Sequence, residues 1–144
     1  MVEQALRVKD VMSREVRTVK RNDQLAMADG LMKDERIRHL PVIDEAGDVC
    51  AVVSQRDLFR GALLRSLGYG SRAEQAMLHQ VVVKEAMSAD LHTTTPDTPA
   101  AEAARLMIER RVGCLPVIDA GKLVGIVTET DFVRLVAEGK VAPQ

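Results

Sequence analysis

The chain has 144 residues, 28% of them charged and 47% hydrophobic, with twenty basic residues against twenty-one acidic ones. That composition excludes disorder and allows a buried core without disulfide or metal staples, while a formal net charge of −1 offers no global basic field to nucleic acid or an anionic membrane. With no Trp, one Tyr and two Phe, it also lacks the aromatic platforms on which single-strand readers stack bases.

In chain order, the charges at Glu3, Arg7, Lys9 and Asp10 break any signal-peptide core. No apolar run approaches the roughly 18 residues of a membrane span, so a cytoplasmic location is expected. A short strand is predicted around Val16–Val19, then a helix start at Asp23 as its capping side chain. Leu25, Ala28, Leu31 and Met32 give that helix one apolar stripe. Leu40–Ile43 and Val49–Val53 are β-branched apolar runs around Glu45-Ala46-Gly47-Asp48, as expected of two strands and a tight turn. A second helix is predicted from about Gln55 to Leu67, broken at Gly68-Tyr69-Gly70. Ser71-Arg72-Ala73-Glu74 has the capping-box spacing that starts another, as far as Gln80.

The remainder repeats the beginning. Sliding the chain on itself by 75 lays Val8-Lys9-Asp10-Val11-Met12-Ser13 on Val83-Lys84-Glu85-Ala86-Met87-Ser88, and His39-Leu40-Pro41-Val42-Ile43-Asp44 on Cys114-Leu115-Pro116-Val117-Ile118-Asp119. Between Val8 and Asp44, 15 of 37 positions are identical to their counterparts, where chance gives roughly two or three. The second copy therefore predicts a strand at Leu91–Thr94 and a helix from Thr98-Pro99 with Pro at its first position. Ala100, Ala103, Leu106 and Met107 form its stripe, followed by strands Leu115–Ile118 and Leu123–Val127 and a helix from about Glu129 to Glu138. The register then slips by one residue, matching Ser54-Gln55-Arg56-Asp57 to Thr128-Glu129-Thr130-Asp131, and the missing residue is assigned to the turn. The expected class is α/β (α+β): two β-α-β-β-α units, residues 8–67 and 83–139, joined by a helical connector, 68–82, and facing one another across a pseudo-twofold axis.

The chemistry concentrates where a strand runs straight into a helix, at Val52-Val53-Ser54 before Asp57 and at Ile126-Val127-Thr128 before Asp131. Such a junction presents unpaired amides and the positive end of the helix dipole, which suits phosphate, and a carboxylate at the same edge can accept from ribose hydroxyls. Ser54 and Thr128 are equally readable as helix N-caps with Asp57 and Asp131 as first-turn acids. Spacing alone leaves both readings open.

The order V-K-[DE]-x-M-S, helix, x-L-P-V-I-D, then strand into [ST]-x-x-D, present twice, resembles the cystathionine-β-synthase (CBS) domain family, and the tandem resembles a CBS pair or Bateman module. The resemblance implies two clefts between the units, pairing as a homodimer, and regulation of a partner protein through AMP, ADP, ATP or S-adenosylmethionine as ligand rather than as an obligatory cofactor. By the same resemblance Asp57 and Asp131 match the ribose-binding acid, and Ser54 and Thr128 the hydroxyl near ribose and phosphate. Arg38-His39 and Gly113-Cys114, with the Pro41 and Pro116 that follow, match the strand edge lining a cleft. Thr18, Val19, Thr94 and Thr95 match positions bordering the adenine, and Arg56 and Thr130 are phosphate-side contacts. One departure is Ala51 where the second copy has Gly125, read as a glycine that permits close approach or unusual dihedrals, so that the Thr128/Asp131 cleft is expected to bind nucleotide better. A structural dimerisation module without nucleotide is the alternative.

Other constellations are weak. His39, His79 and His92 lie scattered without carboxylate or cysteine at ligand spacing, which predicts no metal site, and no nucleophile, zinc-protease or phosphate-loop motif suggests an enzyme. Cys50 and Cys114, without CxxC spacing, fit reduced core thiols, and the methionines at 12, 27, 32, 87 and 107 fit core filling. Arg60, Arg65, Arg72, Arg105, Arg110 and Arg111 could cluster on the surface, but the neutral balance argues against nucleic acid as a partner.

Overall fold

A computed structural model describes residues 5–65 and 80–140 of the chain. The Gly68-Tyr69-Gly70 break and the helix expected from Ser71, together with Arg72 and His79, fall outside the described residues. The elements are α1 (Val8–Val11), β1 (Val19–Lys20), α2 (Leu25–Glu35), β2 (His39–Ile43), β3 (Val49–Ser54), α3 (Gln55–Arg65), α4 (Val83–Ala86), α5 (Ala100–Arg110), β4 (Cys114–Asp119), β5 (Lys122–Thr128) and α6 (Glu129–Ala137).

These elements pack as two compact units whose limits differ from those of the repeat. The first unit is Arg17–Leu91; the second joins the chain up to Val16 with His92 onward. The opening segment of each sequence copy thus packs in the unit built from the other copy. In the first unit β1 pairs parallel with β2, Val19 opposite Val42, and β2 pairs antiparallel with β3. The second unit pairs β4 antiparallel with β5. Its expected first strand is reduced to one parallel bridge at Thr94 opposite Val117, and β1 is likewise two residues where four were expected. The few alternating residues before the helix leave little length to pair.

The apolar stripes do what their spacing dictates. Leu25, Ala28 and Met32 of α2 and Ala100, Ala103 and Met107 of α5 are buried, with Leu31 and Leu106 partly so. They close over Leu40, Val42 and Val53 in the first unit and over Leu115, Val117 and Val127 in the second. Met27 departs from the expected core role: it lies on the outer side of α2 and is 54% exposed.

The starts of α2 and α5 are not side-chain capped. Asp23 lies outside α2, where its Oδ2 accepts the Lys20 amide at 2.7 Å, and Pro99 occupies the N-cap position of α5 rather than its first turn. The orphan amides are met by main chain instead: Leu25 N–H donates to the Val81 carbonyl at 2.7 Å and Ala100 N–H to that of Leu6 at 2.8 Å. The segment leading into α4 or α1 therefore caps the helix of its unit, and a backbone acceptor makes a side-chain cap redundant. At the far ends, Arg36 and Arg111 both take φ 56, the left-handed turn that aims the chain into β2 or β4.

The one-residue slip does fall in the turn. Asp44 to Asp48 closes the first hairpin around Gly47 at φ 88, with Asp44 Oδ1 accepting the Ala46 and Asp48 amides. The second hairpin needs only Ala120 and Gly121, both at positive φ, the geometry of a two-residue turn matched to strand twist.

Candidate functional site

Antiparallel pairing brings the start of β2 against the end of β3, and the start of β4 against the end of β5. His39 lies opposite Ser54 and Cys114 opposite Thr128. The pairing continues into the helices, since Gln55 N–H donates to the Arg38 carbonyl at 2.8 Å and Glu129 N–H to that of Gly113 at 3.1 Å. Sequence reading missed this last rung, because it depends on register across two strands. Each junction is thereby pinned to one sheet edge, with Arg38, His39, Ser54, Arg56 and Asp57 gathered at the first and Gly113, Cys114, Thr128, Thr130 and Asp131 at the second.

Both acids cap their own helices. Ser54 N–H donates to Asp57 Oδ2 at 2.8 Å while Asp57 N–H donates to Ser54 Oγ at 3.1 Å. Thr128 N–H donates to Asp131 Oδ2 at 2.8 Å in the equivalent capping box. The cap uses one carboxylate oxygen and fixes the rotamer, and a carboxylate has about four lone-pair sites. Oδ1 thus retains acceptor capacity for a hydroxyl pair. At Asp131 that oxygen also lies 3.4 Å from the Arg134 guanidinium, a neighbour legible in the i, i+3 spacing and overlooked. The two readings left open by spacing are therefore compatible: the cap is present, and it holds a half-buried carboxylate in a fixed pose beside a hydroxyl.

Several expected contact residues are closed into the core. Pro41, Pro116 and Val19 are almost fully buried, and Thr94 and Cys114 nearly so; Val19 belongs to the core with α2, whereas Pro41, Cys114 and Pro116 alternate with Leu40, Val42, Leu115 and Val117 and lie on the other face of their strands. Only their main chain remains for a ligand. Thr18, Thr95, Arg38, Arg56 and Thr130 are exposed, and His39 and Gly113 are half-buried. Thr18 precedes the β1–β2 rung at Val19 and stands on the far side of β2 from β3. Thr95 Oγ1 shares a hydrogen bond of 2.7 Å with Thr98.

The glycine departure has a cause other than a ligand. A Cβ at Gly125 would stand 2.7 Å from Met12 Sδ and 2.9 Å from the Ser13 carbonyl oxygen. Its φ is not in the left-handed region. Gly125 makes room for the opening segment, which pairs with β5 through Ser13 and Ile126, so the residue no longer ranks one site above the other. Ala51 is buried with Met87 packed against its cluster.

Burial raises the thiol pKa of Cys50, whose Sγ lies 3.5 Å from the Val42 carbonyl. Among the described residues, no group of three or more His, Cys, Asp or Glu is placed to hold a metal ion, and no helix is long and apolar enough to cross a membrane.

Comparison with known proteins agrees with the repeat. The chain is 32% identical to the CBS domain-containing protein YhcV of Bacillus subtilis, over 87% of this chain and 81% of that one. It spans only 24% to 42% of the length of three longer curated relatives that it matches. Among solved structures, the CBS domain pair of protein MJ0100, in complex with 5-methylthioadenosine and S-adenosyl-L-methionine, superposes with a TM-score of 0.77 at 27% identity, covering 96% of this chain and all of that one. CBSX2 in complex with AMP gives 0.73 at 28% identity, covering 94% and 98%. The CBS domain family model matches residues 8–63 and again 83–138. The chain belongs to the CBS domain family and carries the domain twice, as a tandem pair.

Proposed function

We propose that the chain is a regulatory module that binds an adenosyl ligand at its two strand-to-helix edges and transmits occupancy to a partner protein, without catalysing a reaction. The observation that carries this reading is the duplicated capping box. In both units a carboxylate is held by its own helix through one oxygen, with acceptor capacity left on the other, beside a hydroxyl and an exposed polar residue, Arg56 or Thr130. That arrangement suits ribose and phosphate. The complexes of MJ0100 with 5-methylthioadenosine and S-adenosyl-L-methionine and of CBSX2 with AMP support the ligand class. Asp57, Ser54, Arg56, Arg38, His39 and Thr18 are the proposed contacts in the first unit. Asp131, Thr128, Thr130, Gly113 and Thr95 are those in the second, with Val19, Pro41, Thr94, Cys114 and Pro116 acting only through main chain.

Regulation requires that the ligand favour one of two states of the module. Isothermal titration of nucleotide-free protein with AMP, ADP, ATP and S-adenosylmethionine tests the binding step. Micromolar binding of one of them, lost in Asp57→Ala or Asp131→Ala protein that remains folded, is the expected result. Absence of heat with all four would leave a pair used as a scaffold. That second reading has its own observation: Phe59 on α3 and Val133 on α6, equivalent positions of the two copies, are 62% and 66% exposed, with Val136 at 68%. Exposed apolar side chains on a helix of each unit suit a homodimer contact, and the two readings are compatible.

A further inference from the structure

The first unit holds a polar cavity at the opposite end of β2 from the capping box, roughly 13 Å away by strand rise. It has a volume of about 530 Å³ and lies between the turn after β1, the turn after β2 and the first residue pair of α4. Main-chain bonds hold its walls. Asp23 N–H donates to the Lys20 carbonyl at 3.1 Å, Lys84 N–H to that of Arg21 at 2.9 Å, and Val83 N–H to that of Asp23 at 2.8 Å. Lys20, Arg21 and Lys84 line the cavity, all exposed, and among the described residues none of the three makes an ion pair.

The second unit builds the same scaffold and decorates it differently. There Lys9 N–H donates to the Pro96 carbonyl at 3.0 Å and Val8 N–H to that of Thr98 at 2.9 Å. At the positions of Lys20, Arg21 and Asn22 stand Thr95, Pro96 and Asp97. Asp97 pairs with Lys9 at 3.2 Å, and its carbonyl accepts from the guanidinium of Arg7, which stands where the first copy has Val82. Within this turn the three differences act in one direction: Lys20 and Arg21 have no cationic counterpart at Thr95 and Pro96, and the acid that would pair with Lys84 is an amide. Two of the cavity's acids are already engaged with amides, Asp23 with that of Lys20 and Asp44 with those of Ala46 and Asp48. Glu45 on the hairpin rim is the third.

We propose that this cavity is a separate anion site that takes a phosphorylated small molecule, independent of the adenosyl edge. A guanidinium flanked by two ammonium groups supplies the planar fork and the point charges that a phosphate monoester or diphosphate accepts from. The volume is within the range of small-molecule pockets. Asn22 adds a neutral donor where the other unit has a carboxylate.

The test is a backbone-amide NMR titration of the full chain with inorganic pyrophosphate, against sodium chloride at equal ionic strength. The expected result is saturable shifts at Lys20–Asp23 and Lys84 that are absent at Lys9 and Thr95–Thr98. Arg21→Gln and Lys84→Gln should each weaken binding about tenfold. Asn22→Asp, which restores the acid of the second unit, should do the same without removing a cation, and all three sites are on the surface, so the spectra should otherwise superpose. Shifts should persist in Asp57→Ala/Asp131→Ala protein. Shifts matched by chloride, shared equally by both units, unchanged by the cavity variants, or lost with the two aspartates would each overturn the proposal, the last by placing the anion at the adenosyl edge.

Discussion

The two units trace the same path with different side chains at a few positions, and the differences separate what backbone hydrogen bonding requires from what volume and charge allow. Both cap α2 or α5 with a carbonyl from the opening segment, both turn at a left-handed arginine, and both hold an aspartate in a capping box. These shared features are main-chain geometry, indifferent to most side chains. The units part where side chains meet: Gly125 against Ala51, Asp97 against Asn22, and a two-residue turn against a five-residue one. A duplicated fold can therefore keep one scaffold while its two copies acquire different surfaces.

The glycine offers the sharpest test. Gly125→Ala forces a Cβ into Met12 and into the Ser13 carbonyl, and because the second neighbour is main chain in a paired bridge, it cannot swing aside. We expect a loss of about 1–3 kcal/mol in urea unfolding. Ala51→Gly, the reciprocal change, removes one buried methyl group and adds backbone freedom at a cost of about 1 kcal/mol. Equal effects would show that the opening segment has more freedom against β5 than the packing indicates.

The caps should behave alike in both units. Ser54→Ala and Thr128→Ala each remove an acceptor for the amide of the aspartate three residues on and should lower stability by about 1 kcal/mol, read as a shift of the unfolding midpoint. A much larger loss at one position would mean that its hydroxyl has a partner beyond the helix.

The smallest effect is expected at the ion pair. Lys9 and Asp97 are 47% and 79% exposed, so Asp97→Asn should change stability by no more than about 0.5 kcal/mol. It should be smaller still in high salt. A loss well above that would assign the pair a structural role and weaken the contrast with Asn22 and Lys84.

Much of this was legible in the chain itself. Leu25, Ala28 and Met32 repeat as Ala100, Ala103 and Met107 at helical spacing, and burial follows from that period because a helix has only one face to give to a sheet. The hairpins and their turns could be read from β-branched runs around Gly47 and Gly121, since only a few residue types tolerate positive φ. Ser54 with Asp57 and Thr128 with Asp131 were legible as a local i, i+3 pattern. Propensity and periodicity act over a few residues and leave their mark in the sequence.

Contacts between distant segments left no such mark. Nothing local tells that Val81 rather than Asp23 satisfies the start of α2, that Pro41 and Pro116 are buried, or that Gly125 is small for the sake of Met12. Nor does the duplication reveal that Val8–Val11 packs with the second copy and Val83–Ala86 with the first. The sequence by itself determined the repeat, the family, the elements and the duplicated carboxylate edge, because each is written in spacing along the chain. The tertiary structure decided which segment completes which unit and which side chains remain available to a ligand, because burial and pairing depend on residues far apart along the chain meeting in space.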